Sequence, residues 1–258
     1  QPKQIAVEVQ SFAGNSTATV SLKGRKDWKI SPAQKVNFKE VGEKQKLFFQ
    51  VEPLSKNANS SLETSIESGG KIDDQSLYLV EYPHIDRQIW IKKSQAKIQN
   101  LDLKIPAVRI AYIKGSGDDI PSSLGAIGLK VQELDIKNWN VSQLKNYDVI
   151  ILGIRAYNTQ PELALINQDL WKFVENGGLV INQYNTNRGL LTNDIAPFPL
   201  KLGSSRISEE DAELKMLVPN HPVFTTPNKI TNLDFKNWVQ ERGLYFADSW
   251  DGKMIPLL

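Results

Sequence analysis

Five polar residues, Asn182, Gln183, Tyr184, Asn185 and Thr186, follow a short apolar run that comes after two glycines, Gly177 and Gly178. In many α/β enzymes a nucleophile stands at such a strand-to-helix turn. A hydroxyl there needs an adjacent base to become reactive. Asn and Gln make poor nucleophiles, and Tyr184 or Thr186 could attack only with a base at hand. His221 is the sole histidine of this half of the chain, in a setting that reads as a turn or strand start. The structural reading is the stronger one, because side-chain amides satisfy backbone groups in sharp turns.

Two other segments invite chemistry. "KGSGDD", residues 114–119, follows an apolar run and looks like a phosphate-cradling loop. It lacks the glycine spacing of known phosphate loops, and Asp118 and Asp119 would repel an anion. Capping the next helix is the favoured role for these aspartates. They would hold a divalent cation only with oxygen ligands from elsewhere. Arg155 follows an all-apolar run, where a parallel sheet opens toward ligands. A guanidinium there must find a partner. An internal acid such as Asp118 is favoured over a ligand. Trp238, Trp250, Tyr245 and Phe246 could stack on sugar rings, although such aromatics more often fill cores and interfaces.

Composition closes several other routes. The chain of 258 residues has no cysteine, so thiolate catalysis, thiolate metal sites and disulfides are all excluded. His84 and His221 are the only histidines and lie far apart, which disfavours a zinc site needing three or four ligands. A net charge of +2 with interspersed acids argues against a nucleic-acid partner. No apolar run is long enough to span a membrane, and the first residues lack the apolar core of a signal peptide. No spacing points to a cofactor. Asn15, Asn59 and Asn140 head Asn-x-Ser/Thr triplets, which matter only in a eukaryotic secretory cell.

The elements that must position these residues change character along the chain. Up to residue 97, apolar residues alternate with period two in "IAVEVQ", "ATVSL", "KLFFQVEP", "LETSIES", "SLYLVEY" and "QIWIKK". Turn signals separate them, which predicts an antiparallel β-sandwich over 1–97 with Trp28 and Trp90 in its core. From residue 106 the pattern becomes strand–helix alternation. "VRIAYI", "LKVQELD", "YDVIILG" and "LVIN" read as strands of a parallel sheet, the third buried on both faces. Pro121 and the acids before it start a first helix. A second runs from a cap at Asn158 or Thr159 to a stop at Gly177 and Gly178, burying Leu163, Ile166, Leu170, Phe173 and Val174. Right-handed crossovers predict helices on both faces of the sheet. A polar linker over 97–106 separates the two regions. The first carries 15 basic and 11 acidic residues and the second 16 and 18, too mild a difference to identify a partner.

These residues carry a family resemblance. "RIAYIKGSGDD", "YDVIILGIRAYN" and "FVENGGLVINQYNT" resemble the flavodoxin-like α/β fold of class I glutamine amidotransferases. "GIRAYN" and "WVQERGLYF" resemble, more narrowly, the C-terminal region of large bacterial PIG-L/LmbE-type proteins. "DWKISP" and "FFQVEP" carry a more diffuse likeness to the Ig-like domain that accompanies α-galactosidases and other secreted sugar hydrolases. The resemblance implies the rear portion of a longer extracytoplasmic protein whose sheet continues beyond this chain. It also implies a zinc N-deacetylase domain as an N-terminal partner, although no deacetylase metal motif occurs in this sequence. The amidotransferase Cys is absent too. The expected architecture is therefore an Ig-like β-sandwich (1–97) followed by an amidotransferase-like α/β domain (106–258).

The expected function is a non-catalytic, carbohydrate-associated accessory region. Rival readings are a hydrolase with an unrecognised site in the α/β domain, and a structural spacer. Ligands of open α/β sheets collect at the C-terminal strand edge, so the candidate binding residues are Ser116, Asp118, Asp119, Arg155, Tyr157, Gln183, Tyr184 and Asn185. Their mix of charge, amides, hydroxyls and flat rings suits a polyhydroxylated ligand.

Overall fold

The computed structural model describes residues 2–56, 58–236 and 243–258. The chain divides into two compact units, Gln1–Leu103 and Lys104–Leu258. No helix among the described residues is long and apolar enough to cross a membrane.

The first unit is antiparallel throughout. Its strands are β1 (Lys3–Gln10), β2 (Ser16–Lys23), β3 (Trp28–Ile30), β4 (Gln34–Phe38), β5 (Lys44–Pro53), β6 (Asn59–Ser68), β7 (Lys71–Asp73), β8 (Gln75–Tyr82), β9 (Ile85–Lys93) and β10 (Gln95–Gln99). One sheet has the order β1-β5-β3; the other runs β10-β6-β2-β4, with β7 added to β6. Alternate residues of both sheets, among them Val9, Val20, Leu22, Val36, Phe38, Phe49, Val51 and Leu62, form one buried cluster. The period-two pattern thus delivers one apolar row per strand to a common core.

Two expectations fail here for one reason. "SLYLVEY" and "QIWIKK" form no part of either sheet of the sandwich. They pair only with each other, as the β8–β9 hairpin. Trp28 lies in the core, but Trp90 sits on that hairpin and is 60% exposed. Both hairpin strands carry apolar residues on both faces, and alternation alone does not say whether a strand joins a core.

The second unit is built on a parallel sheet of β11 (Arg109–Ile113), β12 (Lys130–Glu133), β13 (Val149–Leu152) and β14 (Leu179–Asn182), in the order β12-β11-β13-β14. Its helices are α1 (Ile120–Ala126), α2 (Ala156–Thr159), α3 (Leu163–Glu175) and α4 (Pro222–Thr225). Strand residues send alternate side chains to opposite faces. Ile110, Tyr112 and Ile151 pack with Ile120 and Leu124 of α1. Ala111, Ile113, Ile150 and Leu152 pack with Leu163, Ile166 and Leu170 of α3. Helices therefore cover both faces, as right-handed crossovers require. A short antiparallel pair, β15 (Leu200–Leu202) with β16 (Ala247–Trp250), lies outside this sheet.

Details of the helix ends differ from expectation. Residues 156–159 form the separate turn α2, so Asn158 and Thr159 do not cap α3, whose N-cap position is Glu162. Val174 is exposed rather than buried. The stop is as expected, with Gly177 in the left-handed region at φ 92°.

Candidate functional site

The C-terminal edge of the parallel sheet brings three loops together, after β11, β13 and β14. The close approach of the first two demands glycine. A Cβ on Gly115 would collide with the Ile154 carbonyl, and one on Gly153 would stand 2.5 Å from the Tyr112 hydroxyl. That same Ile154 carbonyl accepts the Ser116 N–H (2.8 Å) and the Ser116 hydroxyl (3.2 Å). The Gly153 N–H donates to the Ile113 carbonyl at 2.8 Å. The aromatic ring in the otherwise aliphatic strand "RIAYI" is part of the same clamp. Tyr112 donates its hydroxyl to Asp118 Oδ2. Sequence reasoning missed Tyr112, although a hydroxyl in a doubly covered strand always needs a partner.

Asp118 is fully committed. Besides Tyr112, it accepts the N–H groups of Ile120 (3.0 Å) and Ile154 (3.2 Å). Partial burial would raise its pKa, but the bonds from Tyr112, Ile120 and Ile154 outweigh that and leave it lowered. Burial, then the Asp118 carboxylate, push the Tyr112 phenol well above its usual value. Asp118 thus caps the start of α1, while Asp119, at the N-cap position, makes no side-chain cap bond. Asp118 makes no ion pair with Arg155, so the expected internal pair is not formed.

Arg155 holds the most unusual backbone at this edge. It sits between β13 and α2 with φ 58° and ψ 30°, left-handed and non-glycine. Strained turns from strand to helix are where nucleophile elbows form. The left-handed turn at this edge therefore follows β13, at Arg155, and residues 182–186 after β14 have no positive φ. Its side chain carries a guanidinium. It is exposed and makes no hydrogen bond or ion pair with any described residue. Around it, the donors that could stabilise an oxyanion are already used. The N–H of Ile154 goes to Asp118, that of Arg155 to the Tyr184 carbonyl (2.6 Å), and that of Ala156 to the Gly153 carbonyl (3.0 Å).

The third loop is locked to the second by amides. Asn185 is buried; its Oδ1 accepts the Tyr157 N–H (3.1 Å), and its Nδ2 donates to Asn182 Oδ1 (2.9 Å) and the Gln183 carbonyl (2.8 Å). Asn158 bonds the Thr186 N–H and carbonyl and the Arg188 carbonyl. The Thr186 hydroxyl donates to the Arg188 carbonyl at 2.7 Å. Tyr157 is buried, and its hydroxyl donates to Asn167 Oδ1 at 2.7 Å. Burial, then the Asp194 charge, raise its pKa. The structural reading of these amides holds.

What remains outward-facing at the edge is Arg155, Ser116, Asp119 and Tyr184, with Gln183 half-buried between them and the sheet. Gln183 lies beside the Tyr112 hydroxyl, and its buried Nε2 completes no hydrogen bond. Tyr184 faces the ring of Tyr245 at 5.9 Å between centroids. Tyr245 is itself left-handed, at φ 56°.

The other sequence candidates sit elsewhere. Trp250 lines a shallow cavity of about 360 Å³ with Pro199, Leu200 and Asp251. Phe246 is half exposed, and Trp238 lies outside the described residues. His221 Nδ1 accepts the Val223 N–H at the start of α4, and His84 stacks near Tyr82 in the hairpin turn.

No family model and no curated protein matches this chain.

Proposed function

We propose that this chain is a non-catalytic accessory region in which the α/β unit binds carbohydrate at its C-terminal strand edge, with Arg155 as the anchor. The observation that carries this is the elbow itself. A strained strand-to-helix turn presents a guanidinium with no partner among the described residues, and the N–H groups of Ile154, Arg155 and Ala156 are bonded within the chain. Such a site can hold a ligand by charge-assisted hydrogen bonds, but it has nothing with which to attack one. Tyr184 and Tyr245 add ring faces.

The strand order β12-β11-β13-β14 is the beginning of the flavodoxin-like order, which supports reading this unit as an amidotransferase-like domain without its Cys. The two antiparallel sheets around one core support an Ig-like reading of the first unit. With the resemblance of "GIRAYN" and "WVQERGLYF", this supports reading the chain as part of a larger secreted sugar N-deacetylase-type protein, with the deacetylase domain as its partner within that protein.

The test is a calorimetric or NMR titration with glycan fragments, repeated on Arg155→Ala and Gln183→Ala. A small exposed site should bind in the millimolar range, about 4 kcal/mol, and both variants should weaken it. Equal binding by both variants, or binding confined to the first unit, would remove the site. No binding at all would favour a spacer. Ammonia release from glutamine, or hydrolysis of the glycans, would instead make the chain an enzyme.

A further inference from the structure

We infer that the β8–β9 hairpin is a self-association surface, on which a second copy of this chain packs through the same face. The register divides the hairpin into two unlike faces. Leu77 lies opposite Ile91, and Leu79 opposite Ile89. Directly opposed residues share a face, and so do residues two apart. These four therefore form one aliphatic square with no polar atom in it. Each is 47–59% exposed. The other face carries Ser76, Tyr78, Val80, Gln88, Trp90 and Lys92. There the Lys92 ammonium lies 4.3 Å from the Tyr78 ring and 4.9 Å from the Trp90 ring. That face mixes rings with amide, hydroxyl and ammonium groups and suits water; the aliphatic square does not.

A two-stranded hairpin is marginal in water by itself, and needs a partner layer against its apolar face. Three observations favour an identical copy as that layer. First, the square is flat and made only of aliphatic groups, so it complements itself about a two-fold axis. Two hairpins face to face would make a small four-stranded sandwich. Second, the charges near the square are neutralised within the chain. Glu81 pairs with Arg87 at 3.1 Å toward the turn, and Lys93 pairs with Glu63 at 3.0 Å toward the base. Antiparallel apposition about that axis sets the turn of one hairpin against the base of the other, where both charge pairs are balanced. A polyanion or an anionic membrane would find no surplus of positive charge here. Third, the size fits. The square exposes on the order of 400 Å², and with its polar border the contact reaches about 600 Å² per copy, the lower end of specific interfaces. Association should accordingly be weak, with a dissociation constant of about 10⁻⁶ to 10⁻⁴ M.

Sedimentation equilibrium of the full chain over a wide concentration range tests this. The wild type should dimerise. Leu79→Glu, on the aliphatic face, should raise the dissociation constant at least tenfold, whereas Val80→Glu, on the opposite face, should leave it unchanged. Because the chain has no cysteine, Leu79→Cys gives a second readout that does not depend on the hairpin tolerating a charge. Mild oxidation should cross-link it as a dimer and spare Val80→Cys. A chain that stays monomeric to millimolar concentration would overturn the inference. So would a dimer that Leu79→Glu leaves intact, or one that Val80→Glu breaks equally.

Discussion

The backbone of Arg155 allows a test of the elbow that needs no ligand. At φ 58° an L-residue crowds its Cβ against the following carbonyl, at about 1–2 kcal/mol, and glycine escapes that cost. Glycine also loses more freedom on folding, about 0.5–1 kcal/mol relative to alanine. The balance at this one position favours glycine over alanine by about 0.5–1 kcal/mol, the reverse of the ordinary order. The guanidinium is exposed and unpartnered among the described residues, so Arg155→Ala should change stability by less than about 0.5 kcal/mol. Arg155→Gly should then stabilise the second unit by about 0.5–1 kcal/mol, roughly 1–4 °C in Tm for a unit of this size.

Urea denaturation of wild type, Arg155→Ala and Arg155→Gly, followed by the far-UV helix signal, reads this directly. The helices described here all lie in the second unit, so that signal reports on it. Two results would refute the reasoning. If the glycine variant is no more stable than the alanine variant, the left-handed strain is not there. If Arg155→Ala costs more than about 1 kcal/mol, the guanidinium has an internal partner and the elbow is structural. Stabilisation by glycine together with loss of glycan binding is the expected pair of outcomes, since strain kept in a fold marks a position held for function.

Two further outcomes follow from the same edge and its supports. Gly153→Ala should destabilise the second unit by about 1–3 kcal/mol in denaturant titration, because its Cβ would press on the Tyr112 hydroxyl and the first loop. Asp148 pairs with the Arg109 side chain at 2.8 Å and accepts its N–H at 2.8 Å, which holds the carboxyl at about 2. A folded pKa below the unfolded one gives stability that is present above about pH 4 and lost as the pH falls toward 2. Asp148→Asn should therefore flatten acid unfolding of the second unit over pH 2–4, as followed by circular dichroism.

The parts of this fold that were legible in the sequence are those where periodicity reports burial directly. "VIIL" in β13 is apolar at every position because both its faces are covered, and Gly177 ends α3 because the chain must turn left-handed there. The β8–β9 hairpin misled because its strands look like the others in composition. The usable signal was subtler: Leu77, Tyr78, Leu79 and Val80 are consecutive and all apolar, whereas a half-buried sandwich strand alternates. The left-handed turn after β13 was not legible for a different reason. It belongs to an arginine, and nothing in a side chain's type announces a left-handed conformation imposed by its surroundings. Gly153, two residues earlier, and Gly115 in the first loop hinted that the chain passes close to another loop there.

That imposition can be traced through the hydrogen bonds. The Arg155 N–H is drawn to the Tyr184 carbonyl, its carbonyl accepts the Asn158 N–H and the Thr159 hydroxyl, and the Ile154 carbonyl is held by Ser116. Arg155 and Ile154 are thus tied to the other two loops, while Ala156 and Asn158 bond within their own. The left-handed turn is compatible with all of these bonds together. What such a rigid edge can still offer is a fixed side chain aimed outward. The one it offers most plainly is a permanently charged, forked donor, and the proposed carbohydrate binding rests on it.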